Sequence, residues 1–298
     1  MSDFFKVHNI HKSYKEHIAV DQVSFNLQKG EICGLVGENG AGKTTLLRLL
    51  TGLIRRDQGE IQVQPGLKTG ALIESPALQL HLSAQDNLRY LGLQLGISNL
   101  EKRIATVLAL IGLDQVDSRK KSKDFSLGMR QRLAIGLSIL HQPDFLILDE
   151  PINGLDPAGI REMRSIIHNL REQAGMTILI SSHILSELEM VVDRYLIMHQ
   201  GKLVRQITKE ELEAQVAGSL CLESQQIQEV AALLNRLELS FHQEGTRFFL
   251  PEATPLMPLL QEILAEGLVI EAAFHQRHSL EDYYLTLIHG GTPHAQLS

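Results

Sequence analysis

A chain of 298 residues, 44% of them hydrophobic, can bury a substantial core, and its length suggests about two domains. A formal charge of −7 and the lack of a long Lys/Arg run argue against a surface devoted to nucleic acid or anionic lipid. Cys33 and Cys221 lie far apart among apolar neighbours, as suits free thiols rather than a disulfide framework. No window reaches the roughly 18 apolar residues of a membrane span, and "MSDFFKVHNIHKSYKEH" lacks the apolar centre of a signal peptide. The expected location is therefore cytoplasmic, at a membrane only where a partner holds it there.

In chain order, "IAVDQVSFNLQKGEICGLVG" alternates as the strands of an antiparallel part. "EICGLVGENGAGKTTLLRLLTG", residues 31 to 52, then runs from an apolar strand through a glycine-rich loop into a helix that Gly52 ends. Gly37, Gly42, Lys43 and Thr44 fit the G-x-x-x-x-G-K-[ST] pattern. Its glycines permit backbone geometries that let amide N–H groups surround phosphate, so Gly37, Asn39, Gly40, Ala41, Gly42, Lys43, Thr44 and Thr45 are expected to bind nucleotide. Lys43 supplies a point charge, the helix start adds its positive dipole end, and the Thr44 hydroxyl suits Mg²⁺. The expected ligand is a nucleotide with Mg²⁺.

"ALIESPALQLHLSAQDNL", residues 71 to 88, begins like a buried strand and then places Glu74 before a Ser-Pro loop. A mostly helical insert is expected over about residues 76 to 140. Within it, "FSLGMRQRLAIGLSIL" sets Ser126 and Gly128 before an amphipathic helix, a second anion-receptive N-terminus. "FLILDE", residues 145 to 150, is an apolar strand ending in two acids: Asp149 suits a Mg²⁺-linked role and Glu150 suits activation of the attacking water. "TILISSH" ends a third buried strand in His183, facing the crevice beyond the strand ends. That placement explains the histidine without invoking a nucleophilic triad.

"RYLIMHQGKLVRQ" reads as a hairpin turning at "HQG", and "TKEELEAQV" as a connecting helix. Beyond residue 216 the periodicity gives "GSLCLES" as strand, "QQIQEVAALLNRLE" as helix, "LSFHQ" and "TRFFLP" as a hairpin, "TPLMPLLQEILAEG" as helix and "LVIEAAF" as strand. That β-α-β-β-α-β order is a split-βαβ layout, followed by a closing helix in "SLEDYYLTLIHG". The His8/His11 and His275/His278 pairs lack companion ligands and read as structural, and "RKKSK" reads as a solvated basic turn.

In the order of these motifs the chain resembles the ATP-binding subunit of ABC transporters over about its first 215 residues. The resemblance implies an α/β P-loop ATPase with a mixed sheet and a helical signature subdomain, here followed by a small α+β domain, with domains at 1–216 and 217–298. It implies a head-to-tail dimer in which Ser126 and Gly128 of one copy meet the ATP on the other copy's loop. Tyr14 in "KSYKEHIAV" matches the aromatic that stacks on adenine; Asp156 in "NGLD" lies in the segment that crosses the dimer interface. Glu150 matches the catalytic glutamate and His183 the histidine that contacts the γ-phosphate. Phe125, Leu127 and Met129 depart from the common Leu-Ser-Gly-Gly-Gln signature.

Where the family usually carries glutamine to sense Mg²⁺ and water, this chain carries Glu74. Glutamate in an "IESP" setting resembles the ATPases of lantibiotic-immunity and bacitracin-resistance exporters. The implied function is ATP hydrolysis driving separate transmembrane permease subunits that expel peptide antibiotics, with no part for nucleic acid. Two other readings stay open at this level: export of another hydrophobic or lipid cargo, and a soluble remodelling ATPase.

Overall fold

The computed structural model describes residues 4–74, 78–215, 218–276 and 280–288. Ser75 and Pro76 of the "IESP" loop, Val216, His278 and the ends of "SLEDYYLTLIHG" lie outside them. Two compact units divide the chain, Met1–Lys209 and Glu210–Ser298. The division falls a few residues before the point where the sequence motifs stop.

The first unit begins with β1 (Phe5–Tyr14) and β2 (His17–Leu27), antiparallel partners, followed by β3 (Ile32–Val36) and α1 (Lys43–Leu50). β4 (Gln58–Val63) returns to the other edge of β1, and β5 (Thr69–Leu72) follows it. The helical insert holds α2 (Ala84–Gln94), α3 (Leu100–Leu110) and α4 (Leu127–Ile139). After it come β6 (Phe145–Asp149), α5 (Pro157–Ala174), β7 (Thr177–Ser182), the one-turn α6 (Leu185–Leu188), β8 (Arg194–His199) and β9 (Lys202–Thr208).

Six of these strands form a sheet in the order β5-β6-β7-β3-β8-β9, parallel from β5 to β8 and antiparallel only at β9. β3 and β7 are buried at every residue, as parallel strands covered on both faces are; β3, expected to close the antiparallel part, pairs parallel with β7 and β8 instead, and only β2 of that segment is antiparallel. The three-stranded sheet β2-β1-β4 shares one core with it, and Phe5 meets Phe145 at 4.9 Å between ring centroids. The expected "HQG" turn closes β8 onto β9 with Gln200 at φ 46° and Gly201 at φ 80°, the paired positive values of a two-residue hairpin.

Helix starts follow their caps. Ser83, Ser126 and Asp156 each accept a backbone N–H three residues on, opening α2, α4 and α5, and Pro157 takes the first position of α5. α4 departs from the amphipathic expectation in its middle, where Leu133, Ala134, Ile135 and Gly136 are all buried. A Cβ on Gly136 would lie 2.7 Å from Ile111, so the small residue lets the insert's helices approach closely.

The second unit opens with α7 (Lys209–Gln215), which begins one residue before the division, and continues with β10 (Ser219–Glu223) and α8 (Ile227–Arg236). The hairpin β11 (His242–Glu244) and β12 (Arg247–Pro251) follows, then α9 (Leu256–Ala265), β13 (Ala272–Gln276) and α10 (Leu280–Ile288). The sheet order β11-β12-β10-β13, antiparallel throughout, is the split-βαβ arrangement read from the periodicity. Leu220, Leu222, Phe248 and Leu250 point to a core shared with Val230, Leu234, Leu259 and Ile263 of the two helices.

Two strands shift from expectation: "LSFHQ" pairs only from His242 and "LVIEAAF" only from Ala272. Gly267, at φ 71°, ends α9, and the Leu268 amide bonds back to Ile263 while its side chain is buried in the core. The apolar start of the run therefore belongs to the helix stop rather than the strand.

Candidate active site

The parallel strands end on one side of the sheet, and the loops that leave them there carry the residues expected to bind and hydrolyse the nucleotide. After β3 the chain turns through Gly37 to Gly42. A Cβ on Gly37 would lie 2.4 Å from the Met198 carbonyl oxygen, and one on Gly42 would lie 2.2 Å from that of Ala19. Gly40 and Gly42 hold φ values of 85° and 100°, which L side chains rarely adopt. The loop therefore needs its glycines both for conformation and for wedging between β2 and β8. The Gly201 amide donates to the Ala41 carbonyl at 2.9 Å, tying the loop to the β8–β9 turn.

Lys43 starts α1 almost fully buried, and its Nζ donates to the Gly37 carbonyl at 2.6 Å and the Glu38 carbonyl at 3.2 Å. Burial pulls its ammonium below the usual lysine range, and Glu150 opposes that pull, with Oε1 at 3.5 Å from Nζ. A buried cation ringed by carbonyls at a helix N-terminus is a site that an anion completes. Beside it, the Thr44 Oγ1 donates to Asp149 Oδ2 at 2.9 Å, so two hard oxygen ligands meet at the mouth of the loop. Thr45 is half-buried in the same first turn, whereas Asn39 and Gly40 are exposed on the loop's outer side.

Glu150 follows β6 with φ at 47°, an uncommon value for a non-glycine residue. Its Oε2 accepts from the Asn153 Nδ2 at 3.1 Å and lies 2.9 Å from the His183 Nδ1, which donates in the tautomer protonated there. Lys43, Thr44, Asp149, Glu150 and His183, drawn from three separate stretches of sequence, thus converge on one site.

Four other expected residues, Tyr14, Ser126, Gly128 and Asp156, stand apart. Tyr14 is exposed at the end of β1 with the Lys12 Nζ 5.4 Å from its ring centroid, and Lys12 is held by Asp57 at 2.7 Å. Ser126 caps α4 and Asp156 caps α5, and the Gly128 Cα faces Leu155. No hydrogen bond among the described residues joins these four to the phosphate loop. Glu74, at φ 64°, forms an ion pair with Arg48 of α1, and it lines a cleft with Leu127, Gln131, Asp149 and Glu150.

Sequence reasoning missed Arg48, Asn153 and Ser181. Asn153 and Ser181 stand within the quoted "NGLD" and "SSH", but their partners become visible only in three dimensions. Arg48 gave no signal, since a charge in the last turn of α1 is what the helix dipole already favours.

A family model for ABC transporters matches residues 20–153. A bacitracin transport ATP-binding protein, BcrA of Bacillus licheniformis, is 37% identical over 98% of this chain and 99% of its own length. A lantibiotic transport ATP-binding protein, SrtF of Streptococcus pyogenes, is 43% identical over 67% of this chain and 88% of its own. Among solved structures, cbiO1 from Clostridium perfringens, part of the ABC transporter complex cbiONQ, superposes with a TM-score of 0.66 at 23% identity, covering 80% of this chain and 97% of that one. The chain is an ATP-hydrolysing member of the ABC transporter family of ATP-binding proteins.

Proposed function

We propose that the chain energises an exporter of peptide antibiotics, working as a head-to-tail dimer on separate transmembrane permease subunits at the inner face of the cell membrane. The convergence of Lys43, Glu150 and His183 at the strand ends supports the hydrolytic part of this reading. The cargo rests on likeness along nearly the whole length to a bacitracin transport protein, and that likeness includes the second unit.

In this reading Lys43 trades its carbonyl contacts for the terminal phosphates of ATP. Glu150, freed from Lys43, takes the proton of the attacking water, and His183 and Asn153 fix its carboxylate for that transfer. Thr44 and Asp149 would hold Mg²⁺, which when bound neutralises charge on the phosphates. The buried Lys43 and the paired oxygens of Thr44 and Asp149 fit such a complex. Ser126 and Gly128 would meet the γ-phosphate bound to the second copy, with Asp156 at the interface, and Tyr14 would stack on adenine. Glu74 would serve the metal or the coupling to the permease after release from Arg48.

The test is survival of cells carrying this chain with its membrane subunits on a panel of peptide antibiotics. Protection by the wild type that Glu150→Gln abolishes is expected. Equal survival with and without the expressed transporter would overturn the cargo, and ATP turnover undiminished by Glu150→Gln would overturn the site.

A further inference from the structure

The hydroxyl of Ser181 sits in a strand buried on both faces, and Ser181 itself is 0% exposed. A buried hydroxyl is tolerated when its hydrogen bonds are made, and both of those at Ser181 go to consecutive acids. Its Oγ donates to Asp149 Oδ1 at 2.5 Å and accepts the Glu150 backbone N–H at 2.9 Å. Asp149 and Ser181 are register partners in the last rung of the β6–β7 ladder. One residue further the positive φ of Glu150 turns the chain out of the sheet, and the Ser181 side chain receives the amide there.

The neighbouring hydroxyl does something else. Ser182 Oγ donates to Glu187 at 2.8 Å and accepts the Ile184 N–H at 3.0 Å, which fastens the loop into α6. The two serines before His183 thus divide their work: one holds the acids, the other holds the loop.

We infer that Ser181 is a positioning residue for ATP hydrolysis, fixing the Asp149–Glu150 peptide so that one carboxylate faces Thr44 and the next faces Lys43 and His183. The inference rests on the reading of Asp149 and Glu150 as the metal-side and water-side acids. With the hydroxyl removed, the Glu150 amide loses its acceptor, and the residue is free to leave a conformation that non-glycine residues disfavour. Asp149 also loses the donor on the oxygen that faces away from Thr44. Binding of ATP, which the phosphate loop supplies, is untouched, while the placement of the water-side carboxylate is lost.

The experiment compares Ser181→Ala, Ser181→Thr, Ser181→Val, Ser182→Ala and Glu150→Gln in the full-length chain. It measures kcat and KM for ATP hydrolysis, the Kd for ATP without Mg²⁺, and deuterium exchange in the peptide holding Glu150. Ser181→Ala and Ser181→Val should lower kcat by about 10- to 100-fold, the usual effect of losing a partner that orients a ligating or catalytic group. Their Kd should stay within about twofold, and the Glu150 peptide should exchange faster. Ser181→Thr, which keeps a hydroxyl on a skeleton matching Val, should recover most of kcat, and Ser182→Ala should leave exchange at Glu150 unchanged.

Near wild-type kcat in both Ser181→Ala and Ser181→Val, or equal losses in the Thr and Val variants, would overturn the inference. Glu150→Gln keeps the two levels apart. Undiminished turnover in Glu150→Gln removes the underlying site reading, whereas an inactive Glu150→Gln beside an active Ser181→Ala removes only the part assigned to Ser181.

Discussion

The two units contrast in charge as well as in topology. Residues 210–298 hold 13 of the 35 Asp and Glu but 3 of the 28 Lys and Arg, so the remainder of the chain is slightly basic. The six-stranded sheet of the first unit is parallel over five strands and leads into Asp149, Glu150 and His183; the sheet of the second unit is antiparallel throughout. Parallel strands bring their carboxyl ends to one side and so build a site there, a placement that an antiparallel sheet of alternating direction does not make. Bulk acidity therefore speaks for the second unit, and a pI near 6.0 averages two unlike parts.

Breaking the chemistry of the first unit should produce the largest effect. Glu150→Gln is expected to lower ATP turnover about a hundredfold or more, as befits loss of a general base, with the far-ultraviolet circular dichroism unchanged. Breaking the second unit should leave that chemistry standing. Phe248→Ala empties a fully buried site, at a cost of about 3–5 kcal/mol, and calorimetry should show one transition moving down while basal ATP turnover at 25 °C persists. A single transition in which both units melt together would show that they unfold as one cooperative body.

Smaller effects are expected at exposed charges of the first unit. A double-mutant cycle on Arg48→Met and Glu74→Gln should give a coupling of about 0.2–1 kcal/mol that fades with salt, since Arg48 is 34% and Glu74 60% exposed. Coupling that grows when nucleotide and metal are added would instead tie the pair to the catalytic cycle. Smallest is the effect of Asp57. Its hydrogen bond from Lys12, with those from Ser13, lowers its pKa to about 2. A depressed carboxylate adds stability that is complete above its usual pKa near 3.8 and disappears as pH falls towards 2. Asp57→Asn should therefore flatten that stretch of an acid-unfolding curve and leave neutral pH behaviour of the second unit alone.

Much of the site was legible because its chemistry sits in short local patterns. The phosphate loop, the acids after "FLIL" and the histidine after "TILISS" each pair an apolar strand with a polar terminus, and parallel pairing brings the termini together. The second unit was legible through periodicity, since its helices and β12 alternate faces over one core. β4 gave no such signal: five of its six residues are exposed, and its partner lies near the chain start. Leu268 misled for the opposite reason, an apolar residue serving a helix stop inside what looked like a strand. The contacts of Ser181 with Asp149 span 32 positions and those of Arg48 with Glu74 span 26, and no window on the sequence reaches so far.

The left-handed backbone at Glu150 carries a consequence for variation. In a saturation library at this position, substitutions would pass two filters of different kind. Gly, Asn and Asp suit the φ of 47° and should dominate among folded clones, whereas Val, Ile and Thr should be depleted before any assay of turnover. Enrichment by folding and enrichment by activity would then select different residues at one site, a divergence expected where the backbone holds a side chain for the proposed hydrolysis at the expense of local ease.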